Sequence, residues 1–264
     1  NTNTTYTKGT GTWTFNGTTA TAYIDSTASP QNLGIVSINK TDTVAPATNS
    51  KLTLASSMTA DTMAIDGTSG QADTLNLGSS GYTLKLANAG STATVLTVSG
   101  TLTTGTSTVQ FSATNSGGNV NIPTLAYSST RFSGAETYVL TGNLSSANAI
   151  SGNVTIDSGA TLDAVAGSNY ALGVAGDWVN AGTFRSRSDT VTINGSISQT
   201  ITSGGSAFYH LAIANTGTAG TGDDNVTPTD ALAVDATLTL TSGELRLSTY
   251  DVNVAVSGDV AIGA

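Results

Sequence analysis

Residues 190–213 read TVTINGSISQTITSGGSAFYHLAI. Two features of this stretch decide the fold. Val191 and Ile193 flank Thr192, and Leu211 and Ile213 flank Ala212, the period-2 signature of a strand with one buried face. Between the strings lie Gly, Ser and Asn, residues that accept turn geometry. Val191 and Leu211 are 20 residues apart, and Leu232 and Val252 follow after 21 and 20 more. Toward the N-terminus Trp13, Leu33, Leu52, Leu75 and Leu96 are separated by 20, 19, 23 and 21 residues. An even beat places one inward-facing residue at the same angular position on every turn of a stacked coil. The expectation is an all-β protein, a parallel β-solenoid (β-helix) of about 20-residue coils. The alternative is a set of tandem β-sandwich (immunoglobulin-like) domains, whose strands need no even spacing.

A longer repeat overlies the short one. TYTKGTGTWTFNGT from Thr5 aligns with TLTTGTSTVQF from Thr101 and with TFRSRSDTVTINGS from Thr183. Identities between the first two include Gly9/Gly105, Thr12/Thr108 and Phe15/Phe111. The organisation expected is one continuous solenoid over 1–264 built of three long repeats, 1–100, 101–182 and 183–264.

Composition agrees with this reading. Charged residues are 9% of the 264, against about 25% in ordinary globular domains. Stacked coils set like residues over like about 4.8 Å apart, and columns of Asp or Lys would repel, so Thr, Ser and Asn cover the surface instead. A net charge of -9 excludes a basic nucleic-acid surface. No apolar run approaches the ~18–20 residues that span a bilayer, so no membrane insertion is expected. With no Cys, one His and two Glu, catalytic parts are scarce, and the chain reads as not an enzyme.

The strings TVTINGSISQTI (190–201), FYHLAI (208–213), LTLTSGELRL (238–247) and VSGDV (256–260) resemble the repeat units of large secreted prokaryotic β-strand-repeat surface proteins, with haemagglutinin- or autotransporter-like β-helices. The likeness is clearest over 183–264 and weakest over 16–95. It implies an extracellular or cell-surface address, a structural, adhesive or filament role, and no catalytic residues. It also implies a turn-flanking surface position for His210.

Ala264 falls at the repeat position of Gly182 and Gly100, so the chain reads as a whole number of repeats. Solenoids carry polar caps because each end otherwise exposes backbone groups and an open core. Here Tyr6, Trp13 and Phe15 open one end, and Val252, Val254, Val256, Val260 and Ile262 close the other. Complementary ends form a heterologous interface that does not close, so the partner expected is the chain itself, as a head-to-tail homopolymer. A carbohydrate-binding adhesin or phage-type fibre segment, with surface glycans as partner, is the alternative.

Other candidate sites are sparse. Asp223, Asp224 and Asp230 lie in one loop with oxygen donors suited to calcium, the sole cofactor candidate; Asp61, Asp66 and Asp73 form a looser set. They match no EF-hand or glycine-aspartate repeat, and an acidic solvated turn explains them as well. Asp157, Asp163, Arg185 and Arg187 are the residues a polysaccharide-cleaving reading would use. N-x-Ser/Thr sequons begin at Asn3, Asn16, Asn39, Asn143, Asn153, Asn194 and Asn225, about the number chance gives, so they are possible glycosylation positions only. Tyr82, Tyr127, Tyr138, Tyr170 and Tyr250 are scattered, which fits core-edge packing better than a sugar platform.

Overall fold

A computed structural model describes residues 8–25, 30–40, 50–67, 73–90, 92–114, 118–247 and 254–263. Tyr6, Asn3, Tyr250 and Val252 lie outside them. The chain forms two compact units, 1–120 and 121–264. Both are built of short parallel strands stacked coil on coil. The β-solenoid is thus what the sequence encodes, and parallel pairing decides against immunoglobulin-like sandwiches, which are antiparallel.

In the first unit one sheet stacks Thr12–Phe15, Ile35–Ile38, Thr62–Ile65 and Leu96–Val98, and a second stacks Thr21–Tyr23, Lys51–Leu54, Thr74–Asn76 and Thr101–Thr103. A third stacks Met58–Ala60, Thr83–Leu86 and Thr108–Phe111. Register sets Val36 over Met63 over Leu96, and Leu52 over Leu75 over Leu102. In the second unit one sheet runs through Ser129–Phe132, Val154–Ile156, Trp178–Asn180, Gln199–Thr202, Asn225–Pro228 and Glu244–Leu245, and another through Thr137–Leu140, Thr161–Asp163 and Thr183–Arg185. The last runs through Leu172–Val174, Thr190–Ile193, Phe208–Ala214 and Leu232–Ser242, and the final strand of these pairs with both Val254–Val256 and Val260–Ile262. Each strand hides alternate residues, as in Lys51–Leu54, where Leu52 and Leu54 are buried and Lys51 and Thr53 are half-exposed. Trp178, Phe184 and Phe208 fill one interior, with ring centroids 4.8 to 5.9 Å apart.

Coil length varies more than an even beat implies. It is 20 residues from Val191 to Leu211, 24 from Val154 to Trp178, and 33 from Met63 to Leu96. The apparent column Trp13, Leu33, Leu52, Leu75, Leu96 is therefore not one column. Trp13 and Leu96 belong to the first sheet, and Leu52 and Leu75 to the second. Likewise Leu211 stacks on Leu238, while Leu232 stacks on Val254. The aligned long-repeat motifs occupy different sheets as well: Thr12–Phe15 lies in the first sheet of its unit and Thr108–Phe111 in the third. Similar strings recur because any coil face needs the same alternation, so sequence likeness does not fix the face.

Two side-chain devices hold the coils. The first is an Asn-x-Gly corner. The Oδ1 atoms of Asn32, Asn76, Asn88, Asn180 and Asn215 each accept a hydrogen bond from the backbone N–H of the glycine two residues on, an Asx turn that bends the chain out of a strand. Glycine is required at Gly78 by a φ of 78° and at Gly182 by crowding, since a Cβ there would sit 2.4 Å from the carbonyl oxygens of Ala160 and Asp157. The second device is an axial splice: Ser129 Oγ accepts from Asn153 N, Asn153 Oδ1 from Asp177 N and Asp177 Oδ1 from Thr200 N, at 3.0, 2.8 and 2.7 Å. Each side chain reaches the equivalent backbone position one coil further on.

Candidate functional site

Exposure changes along single stacked columns of the described residues. One inward column of the second unit is Leu172, Val191, Leu211, Leu238 and Val260. Exposure along it is 0% through Leu211, 4% at Leu238 and 57% at Val260. The neighbouring column, Val174, Ile193, Ile213, Leu240 and Ile262, ends at 77%. In the first unit Trp13 takes the inward position of Val36 and Met63, yet it is 45% exposed on the edge strand Thr12–Phe15. Phe15 packs edge-on to Tyr23, with centroids 6.3 Å apart. Val254 and Val256 are half-buried. Among the described residues the only helix is one 3-10 turn, Ser146–Asn148, so no helix covers these strands. At Val260 and Ile262 the inward apolar side chains of a strand are exposed, the chemistry of a surface that accepts another β-coil.

The expected polar sites are dispersed by the coils. Asp230 spends both carboxylate oxygens on the backbone N–H groups of Ser203 and Gly204, each at 2.7 Å. Asp223 accepts from the Thr221 hydroxyl, and Asp224 is buried. Asp61 holds Lys8 and Asn32, Asp66 accepts from Gly67 N, and Asp73 accepts from Lys40 N. Among the described residues no three His, Asp or Glu side chains converge as metal ligands.

Asp157 and Asp163 engage different arginines rather than one another. Arg131 Nε donates to Asp157 at 2.9 Å. Arg187 forks onto buried Asp163 at 2.9 and 2.6 Å, and Arg185 approaches the same carboxylate at 3.7 Å. Arg187 holds the Asp163 carboxyl below the usual carboxylate range, against burial, which pushes it up. This is a cross-coil fastener.

His210 is not beside a turn, as the resemblance implied. It lies within Phe208–Ala214, between Thr190 and Thr237 of adjacent coils, its ring edge-on to Tyr209. The side-chain period put it on the outward face of a seven-residue strand, a length the shorter strings elsewhere gave no reason to expect. Tyr127 and Tyr138 are buried and donate to the carbonyls of Pro123 and Ser133, so neither offers a face to a sugar. Of the sequon asparagines, Asn16, Asn39, Asn143 and Asn153 are exposed, while Asn194 and Asn225 are half-buried.

Two features went unnoticed in the sequence. Lys40 is fully buried, its Nζ donating to the carbonyls of Asn16 and Thr19 and to Thr21 Oγ1, and burial lowers its pKa. Asp189 is buried with neither carboxyl oxygen hydrogen-bonded. The Asn-x-Gly spacing was the readable signal for the corners; nothing in the sequence marks Lys40 or Asp189. A groove of about 490 Å³ crosses the outer face of the first sheet, lined by Ile35, Asp61, Ala64, Asn88, Thr92 and Thr97 among others. No helix of the described residues is long and apolar enough to cross a membrane.

No family model, no curated protein and no solved structure matches the chain.

Proposed function

We propose that the chain is a non-catalytic structural subunit of an extracellular filament or cell-surface fibre, joining copies of itself head to tail through its end coils. The carrying observation is the change along single columns, from full burial at Leu211 and Ile213 to 57% and 77% exposure at Val260 and Ile262. A further coil in register would bury those side chains and satisfy the strand edge, each large aliphatic side chain contributing about 1.5–3 kcal/mol. The exposed Trp13 edge is a surface of the same kind. Such a contact is heterologous, so it propagates. The extracellular address rests on the resemblance of 183–264 to secreted surface repeats and on a surface of neutral polar residues. Sedimentation velocity tests the assembly: wild-type protein forms large species on incubation, and Ile262→Asp, which places a carboxylate in the join, stays monomeric. Monomers from wild type at all concentrations would reject it.

The adhesin reading draws on the groove over Ile35, Asp61 and Thr97, where a carboxylate and an exposed hydroxyl line one face. A glycan array with wild type and Thr97→Val tests it.

A further inference from the structure

The corner joining the strands Thr183–Arg185 and Thr190–Ile193 combines three features found together nowhere else among the described residues. First, Asp189 is 1% exposed and neither of its carboxyl oxygens has a hydrogen-bond partner. Second, the turn that covers it is strained: Arg187 adopts a left-handed φ of 59° within the turn closed by the Asp189 N–H to Ser186 carbonyl bond. On the coil before, Val165 and Asn169 are also left-handed, at 66° and 51°. Third, the turn is held from outside by two cross-coil fasteners, the Arg187 fork on Asp163 and the Ser188 N–H on Asn169 Oδ1. Arg187 and Ser188, directly before the buried Asp189, are themselves exposed.

The titratable groups around the carboxyl are few. Its own turn carries Arg185 and Arg187, both directed to Asp163. On the coil before, Asp163 is thereby neutralised and Tyr170 stands two residues ahead of Leu172, as Asp189 does ahead of Val191. On the coil after are Tyr209 and His210, the latter paired with Thr190 and donating its N–H to the Asp189 carbonyl.

We propose that this corner is a pH-operated latch: the protonated carboxyl of Asp189 is sealed beneath the Ser186–Asp189 turn, and its ionisation opens that turn and loosens the coil on either side. No new bond is made; one proton leaves to solvent as the corner opens. Burial pushes the carboxyl up to about 8 in the closed corner, against its ordinary value of 3.8 once open. The open form therefore binds fewer protons, and opening becomes easier as pH rises from about 4 to about 8, after which the gain stops.

Hydrogen exchange read by NMR on the intact chain tests this. Base-catalysed exchange already rises about tenfold per pH unit; the latch adds about another tenfold per unit at the amides of Asp189 and His210 up to pH near 8. Those two amides should accelerate about a hundredfold per unit, while the amides of Ala87 and Ser112, bonded to Ala60 and Leu86 in the first unit, keep the tenfold slope. Asp189→Asn should return both corner amides to the tenfold slope. An unchanged steep slope in that variant, a tenfold slope in wild type, or equal steepening at the control amides would each overturn the latch. Should Asp189→Asn not fold, a carbon-13 titration of the wild-type Asp189 carboxyl decides: a midpoint near 8 supports the latch, and one near 4 removes it.

Discussion

Leu52 and Leu232 sit at the bottom of the argument: each is an apolar side chain in a strand of alternating burial, 0% and 1% exposed. Leu52→Asp or Leu232→Asp buries a carboxylate with no designed partner and should cost several kcal/mol, on the order of 3–5. Thermal denaturation checks this, and an unchanged melting temperature would mean that the inward face is misassigned. Gly182 makes a different test, because its neighbours are backbone. A methyl there meets two carbonyl oxygens at 2.4 Å, so Gly182→Ala should destabilise by roughly 1–3 kcal/mol, whereas Gly205→Ala, with nothing within 4 Å but a φ of 77°, should lose only about 1 kcal/mol to backbone strain. Residue-level inwardness was legible from alternation alone. Lys40 and Asp189 were not, since a lysine before a loop and an aspartate before a strand look like solvated caps until the neighbouring coils close over them.

At the scale of the element, short strands gain little from propensity; what fixes them is the coil above and the coil below. The Ser129, Asn153, Asp177 and Thr200 splice expresses this, each side chain satisfying the next coil's backbone. Asp163 does the same by charge. Because its carboxyl is held low, chiefly by Arg187, the pair contributes stability above the ordinary carboxylate range and loses it as pH falls through the lowered value. Asp163→Asn should cost about 1 kcal/mol near neutrality, Arg187 being partly exposed, and the difference from wild type should vanish in urea titrations run well below pH 4. Strand existence was readable; coil length was not. Thirty-three residues separate Met63 from Leu96 where 20 separate Val191 from Leu211, because loops between faces can lengthen without disturbing register. Period counting over such a chain drifts from one face to another, which is how Trp13 and Leu52 came to look like one column.

For the whole molecule, the stacking that buries one column of apolar side chains leaves Val260 and Ile262 exposed at its last strand. A coil edge satisfies hydrogen bonds only when another coil lies on it, and columns that run buried from Leu172 to Leu211 emerge at Val260. The sequence announced apolar end strings; their exposure needed the coordinates. X-ray diffraction from aligned fibres of the purified protein tests the joining of copies most directly. Coils continuous through the join place the ~4.8 Å strand spacing on the meridian, parallel to the fibre axis. Protein that forms no fibres, or fibres with that reflection on the equator, would contradict end-to-end assembly.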